Sequence, residues 1–284
     1  MYAIMGASGR VGGAVVNNLL DAGQAVSAVV RNAARAAAWQ ARGCEVKEAD
    51  AADSAALAAA FSGCEGAFVL LPPAYDQAAG LEQGHRRADA IRQALLQARP
   101  SKVVALSTYG AQVTRANLFN ELGYLEQVLA DLEIPVTILR AAWYMENHEW
   151  DVATARSQGV IYSHLQPLDQ PLPMVSTRDV GRMAAHLLME TWSGHRVVEF
   201  EGPAPVSPQR LAEAFARALD KKVRAEAVPR DHWEQGFQQI GIKNPEPWMQ
   251  SLDGTNEGWL AFEGAPETRR RGQITIDEAI AALL

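Results

Sequence analysis

The sequence has 284 residues, 48% apolar and 21% charged, and its 26 Lys and Arg against 33 Asp and Glu leave a formal net charge of −7. That is the composition of a folded globular chain rather than a disordered one, long enough for one large α/β unit or two lobes at roughly 100–200 residues per domain. The acidic balance argues against nucleic acid as a partner, and no stretch lacking Asp, Glu, Lys and Arg exceeds 12 residues, well short of the roughly 20 apolar residues that span a membrane.

Met1 leads through a short apolar run directly into glycines, without the basic and apolar regions of a secretory signal, so a cytoplasmic location is expected. Strands are predicted at Tyr2–Met5, Ala25–Val30, Cys44–Ala49, Gly66–Leu71, Lys102–Leu106 and Val136–Leu139. Amphipathic stretches separate them, which is the pattern of parallel strands joined by crossover helices. Between the first two strands, Val11, Val15, Val16, Leu19 and Leu20 share one helical face, and Gly23 marks the stop. The Ala-rich stretches at 33–42 and 51–60 read as helices. Cys44 and Cys64 are too far apart for a redox or zinc pair and read as small buried apolar residues.

The stretch 117–131 sets Leu118, Leu122, Leu125, Val128 and Leu129 at helical spacing, with Pro135 at the entry to the next strand. The expectation is a doubly wound parallel sheet of the Rossmann type, with residues 1–150 as its nucleotide-binding domain. After 150 the alternation weakens and Pro, Trp and His become more frequent. Residues 151–284 are therefore expected to form a smaller C-terminal α/β lobe that binds the substrate, with about 174–190 returning to the first domain as a helix. Ser207-Pro208 reads as a helix start. Trp233, Trp248 and Trp259 are expected in the core of the second lobe, or with one facing an aromatic substrate. Arg269, Arg270 and Arg271 read as a solvated loop.

The first strand runs into Gly6-Ala7-Ser8-Gly9-Arg10-Val11-Gly12, a GxxGxxG arrangement opening a helix. Glycines permit a tight turn and close approach of the backbone to a ligand, and unpaired N–H groups at a helix start can hold a diphosphate. The order strand, turn, helix, strand makes this a dinucleotide site. At the end of the second strand an acid would take the adenosine ribose, whereas arginine would meet a 2′-phosphate. Arg31 stands there, Arg10 and Arg35 can add charge, and no Asp or Glu occurs between Gln24 and Trp39, which favours NADP(H) over NAD(H). Asp50, in Ala49-Asp50-Ala51, either accepts from the adenine amino group or caps the next helix.

Together with Leu70-Leu71-Pro72-Pro73 after the fourth strand and the run from Leu139 to Asn147 after the sixth, these residues resemble the NmrA-like family. That atypical branch of the short-chain dehydrogenase/reductases includes NADPH-dependent quinone and triphenylmethane reductases and non-catalytic redox sensors. Met174 to Val180 and Glu201-Gly202-Pro203 look like its return segment and the start of its substrate lobe. The resemblance implies that Ala51, Leu71, Pro72, Pro73, Trp143 and Tyr144 join the glycine loop in contacting the cofactor.

Catalysis in the superfamily depends on a YxxxK pair, and none of the six tyrosines has lysine four residues on. Leu122 stands where many NmrA-like chains carry Lys or His on the crossover helix. This argues against alcohol dehydrogenation and sugar epimerisation, but not against hydride transfer to a quinone or other aromatic acceptor, where positioning carries most of the catalysis. Candidates at the strand ends are Ser107 and Tyr109 as catalytic groups, with Tyr109 as proton donor or as a surface-loop tyrosine, and Tyr75 and Asn147 for the substrate. Glu146, His148, Glu149 and Asp151 cluster without the spacing of a metal site, and no metal is expected. Two readings stay open: a reductase of a quinone or related aromatic molecule, and a sensor in which NADP(H) governs binding to a protein partner. A homodimer is compatible with either.

Overall fold

The computed structural model describes the backbone of residues 1–284 and the side chains of all but Arg35. The first half alternates strand and helix: β1 (Tyr2–Met5), α1 (Arg10–Asp21), β2 (Val26–Val30), α2 (Ala37–Ala41), β3 (Glu45–Glu48), α3 (Ser54–Phe61), β4 (Gly66–Val69), α4 (Glu82–Ala98), β5 (Lys102–Thr108), α5 (Asn120–Leu129) and β6 (Val136–Ala141). The two-residue β7 (Trp143–Tyr144) and a 3₁₀ segment over 145–151 follow, then α6 (Val152–Gln158), β8 (Val160–Ser163), β9 (Met174–Val175), α7 (Thr177–Met189) and β10 (His195–Glu201). The remainder holds α8 (Pro208–Leu219), β11 (Arg224–Ala227), α9 (Trp233–Gln239), α10 (Glu246–Asn256), β12 (Arg270–Arg271) and α11 (Ile276–Ala281).

Eight strands form one sheet in the order β12-β10-β6-β5-β4-β1-β2-β3, with every neighbouring pair parallel. It is the expected doubly wound α/β fold. Successive strand residues feed opposite faces: Ile4, Ala28, Phe68, Val104 and Leu139 join one core with Val15, Val16 and Leu19 of α1 and Val180, Ala184 and Leu187 of α7. Ala3, Met5, Val29, Val69 and Ala105 join the other with Leu57 of α3, Ile91 and Leu95 of α4, and Leu125 and Leu129 of α5. Each fully buried Val or Leu contributes about 1.5–3 kcal/mol, so a strand slipped by one residue would lose both layers at once.

Three sequence expectations change. The stretch 33–42 is a 3₁₀ turn over 33–36 followed by the short α2, because Asn32 Oδ1 takes the Ala34 N–H and tightens the entry. The sheet draws on both sides of residue 150: α7 packs on α1, and β10 and β12, from the stretch assigned to the second lobe, follow it in the chain and join the sheet. Arg269 to Arg271 are not a solvated loop. Arg270 and Arg271 make β12, and the three arginines pair with Glu201 and Glu190. Outside the main sheet, β8 pairs in parallel with β11 and packs with α6 and α8, and β7 pairs with β9. Cys44 and Cys64 are buried and unpaired. No helix among the described residues is long and apolar enough to cross a membrane.

Candidate functional site

Strand order reverses between β1 and β4, and in open α/β sheets the crevice outside the carboxyl ends at such a point is where ligands bind. A cleft of about 530 Å³ lies there, running from the glycine loop to an aromatic wall.

At the glycine end, Gly6 takes φ +66°, a left-handed conformation that a side chain would strain, and its carbonyl accepts the Gly9 N–H at 2.8 Å. A Cβ on Gly12 would stand 2.2 Å from Gly6 O, so only glycine lets α1 start this close to β1. No side chain caps α1, and no acid occupies its first turn. Its N–H groups and the positive end of its dipole therefore meet the cleft uncompensated, which suits a diphosphate. Gly6, Ser8, Gly9, Arg10, Val11 and Gly12 all line the cleft. Ala7 does not: it is buried, and its carbonyl accepts from Trp39 Nε1 at 3.2 Å.

Arg31 is exposed on the rim at the end of β2 and forms no ion pair or hydrogen bond among the described residues. Arg10 is engaged elsewhere, its Nη2 2.7 Å from Glu149 Oε2 and its Nη1 donating to Glu146 O. The side chain of Arg35 lies outside the described residues. Glu48, at the end of β3, accepts the Ala33 N–H at 3.0 Å, so an acid comes up beside the arginine end through strand pairing rather than through sequence proximity. Ala51 lines the cleft but Asp50 does not. The Asp50 carboxylate folds back to Ala52 N at 2.9 Å, and the residue that caps α3 is Asp53.

At the other end, Leu71, Pro72, Pro73 and Tyr75 after β4 and Trp143, Tyr144 and Asn147 after β6 all line the cleft. Tyr75 packs edge-on against Trp150 (centroids 6.3 Å) and Trp248 (5.2 Å). Trp248, on α10, stacks at 5.8 Å and 23° on Trp143, whose buried Nε1 has no hydrogen-bond partner among the described residues. Of the three tryptophans expected in the second lobe, Trp248 is thus the one on the cleft wall. Trp150, 68% exposed, stands at the mouth. Burial pushes the phenol of Tyr144 well above its ordinary range, and that of Tyr75 upward with help from Glu121.

Both expected catalytic groups lie on the wall, and neither is disposed as expected. Tyr109 is buried, not in a surface loop. Its hydroxyl is 3.0 Å from Thr255 Oγ1, and burial pushes its pKa up to about 12, the wrong direction for a proton donor. Ser107 Oγ donates to Glu126, which is held in turn by Arg140 through Nε (3.0 Å) and Nη2 (2.6 Å). The serine proton is therefore committed to a buried ion pair rather than to the cleft. Leu122 lines the cleft, so where a lysine or histidine would act the wall is apolar. The acidic cluster is taken up in structure: Glu146 accepts from Ser176 Oγ (2.6 Å) and Thr177 N (2.9 Å), and His148 Nδ1 lies 2.9 Å from Asp151.

Sequence reasoning missed Glu121. It lies three residues after Leu118 and four before Leu125, inside the apolar stripe of α5, which was the available signal. Buried at 6% exposure on the cleft wall, it meets Gln77 Nε2 at 2.6 Å, and burial raises its pKa to about 7.

The model of the NmrA-like family matches residues 2–257, and the chain belongs to that family. It is 28% identical over 244 residues to quinone oxidoreductase 2 of Escherichia coli, covering 85% of this chain and 82% of that one. It is 24% identical over 254 residues to the NAD(P)H azoreductase of Xenophilus azovorans, covering 89% and 85%. Among solved structures, the NADPH-dependent quinone oxidoreductase of Escherichia coli complexed with NADPH superposes with a TM-score of 0.82 at 25% identity, over 100% of this chain and 99% of that one.

Proposed function

We propose, starting from its membership of the NmrA-like family, that this chain is an NADPH-dependent oxidoreductase that reduces a quinone or a related aromatic acceptor. The observation that carries the reading is the continuity of one cleft from an uncapped glycine-rich helix start to an aromatic wall. When bound, a reduced nicotinamide supplies a hydride. The first-turn amides of α1 would hold its diphosphate and Arg31 its 2′-phosphate, while Ala51, Leu71, Pro72, Pro73, Trp143 and Tyr144 would flank its course. Tyr75 and Asn147, with Trp150 and Trp248, would orient a flat acceptor. The names of the relatives, a quinone oxidoreductase and an NAD(P)H azoreductase, support both halves of the reading.

What this wall does to an acceptor is positional. Rings at 5–6 Å from one another suit a planar molecule and exclude water from it. Holding donor and acceptor in register is the larger share of catalysis when no nucleophile is needed. The test is steady oxidation of NADPH by the purified protein with a panel of benzoquinones and naphthoquinones. Turnover is expected. Tight NADPH binding without turnover on any quinone would overturn the reading and leave a sensor in its place.

A further inference from the structure

We infer that the carboxyl of Glu121 is the proton source for the reduced acceptor, an inference that rests on reading the chain as a reductase. Reduction of a quinone to a hydroquinone needs more than a hydride. The hydride brings both electrons and one proton, and a second proton must reach oxygen. Tyr109 and Ser107 are spoken for by Thr255 and Glu126, and the phenols of Tyr75 and Tyr144 are weakened as acids by burial. Among the described residues three glutamates line the cleft; Glu146 is held by Ser176 and Thr177 and Glu149 by Arg10, which leaves Glu121, on the wall with Phe119, Leu122 and Tyr75.

Its placement favours the neutral acid. Oε2 takes the Gln77 Nε2–H, and Gln77 is itself buried and fixed, donating to Ala74 O at 3.1 Å and accepting the Gly84 N–H at 3.1 Å. A Cβ on Gly84 would come 2.3 Å from Glu121 Oε2, so α4 closes one side of the carboxyl and leaves it no room to swing that way. Oε1 accepts no hydrogen bond among the described residues, and no cation there forms an ion pair with the group. Glu126, on the same helix, differs on every count, with Arg140 held against both its oxygens. A buried carboxylate without a counter-ion is costly, so the proton stays on. The charged and titratable groups facing it are Tyr75, from the loop ahead of α4, and Arg87 of α4, whose attraction and the Gln77 bond oppose the dominant effect of burial.

In the step itself the Glu121 O–H bond breaks and an O–H bond forms on the acceptor oxygen as the hydride arrives at the ring system. The carboxylate left behind regains its proton from water. A cationic triarylmethyl acceptor differs: hydride addition to its central carbon gives a neutral product with no proton taken up.

The experiment compares Glu121→Gln with the unaltered protein on a quinone and on a triarylmethyl dye at pH 6. Loss of a general acid should cost the quinone reaction about 100-fold in kcat and leave the dye reaction within about twofold. The quinone rate of the unaltered protein should fall above about pH 7, and Gln77→Leu, which removes the donor to the carboxylate, should move that fall to higher pH. Independently of turnover, infrared titration should show a protonated carboxyl band that fades through about pH 7 and is missing from Glu121→Gln. The melting temperature should follow the same group. Its pKa is raised by folding from 4.5 to about 7, so the stability it contributes is complete below 4.5 and is lost as pH climbs through about 7. Equal losses on both acceptors, an unshifted profile or an absent band would overturn the inference while the reductase reading stands. No oxidation of NADPH with either acceptor by the unaltered protein would remove the reductase reading, and this inference with it.

Discussion

The two ends of the cleft are made of different material. The glycine end is main chain, shaped by what its residues lack: Gly6 in a left-handed turn and Gly12 with Gly6 O where its Cβ would be. The aromatic end is side chain, and its rings come from separate segments, Tyr75 ahead of α4, Trp143 on β7, Trp150 in the 3₁₀ segment and Trp248 on α10. Backbone geometry has one solution, so the first end should tolerate almost no substitution. A wall of independent side chains can be altered ring by ring, so the second should respond in graded steps.

The strongest check is Trp248→Ala. It removes the ring that touches Tyr75, Trp143 and Phe119, and a buried aromatic truncated to alanine costs about 3–5 kcal/mol. Melting followed by circular dichroism should show that loss, with NADPH affinity retained in the fraction that remains folded; lost NADPH affinity there would erase the contrast between the ends. Gly12→Ala should act in the opposite sense. Overpacking costs it about 1–3 kcal/mol, and NADPH, which should protect the unaltered protein by about 2.7 kcal/mol at 100 times its Kd, should give it no measurable protection. Arg31→Ala should leave the fold intact and reduce the ratio of NADPH to NADH affinity by about one to two decades, the worth of one charge-assisted hydrogen bond. An unchanged ratio would move the phosphate to another cation. Trp150→Ala is expected to be mildest, because the ring is 68% exposed. A stability change within about 0.5 kcal/mol should accompany a severalfold rise in KM for the quinone alone.

The glycine end was legible in the sequence because its signal is local, with strand, turn and helix contiguous between Tyr2 and Asp21. The centre of the parallel core was legible for the same reason, since β1, β2, β5 and β6 each declare themselves in a short apolar run. What escaped depends on contacts far apart in the chain. β12 is two residues long and carries no periodicity, so Arg270 and Arg271 reveal a strand only once β10 lies beside them. Tyr109 reads as a loop residue until Thr255 and Phe262 pack over it. Glu126 and Arg140 stand on α5 and β6 with nothing in their spacing to show that they pair and claim Ser107. Glu121 was the exception, a carboxylate within a leucine stripe, where the mismatch between residue and pattern was itself the information.

The outer strands of the sheet have a further consequence. β3 is four residues long, three of them charged, with Lys47 and Glu45 paired at 2.6 Å, and β12 consists of two arginines bound to Glu190 and Glu201. Neither rim presents a long apolar ribbon onto which another molecule could add a strand. Resistance to filament growth is thereby built into the two places where a parallel sheet is most open to it, and crowded solutions should keep the molecules dispersed. Exchanging the charges of β3 for valine or threonine would turn that rim into a template for aggregation, whereas β12, two residues long, would stay too short to serve as one.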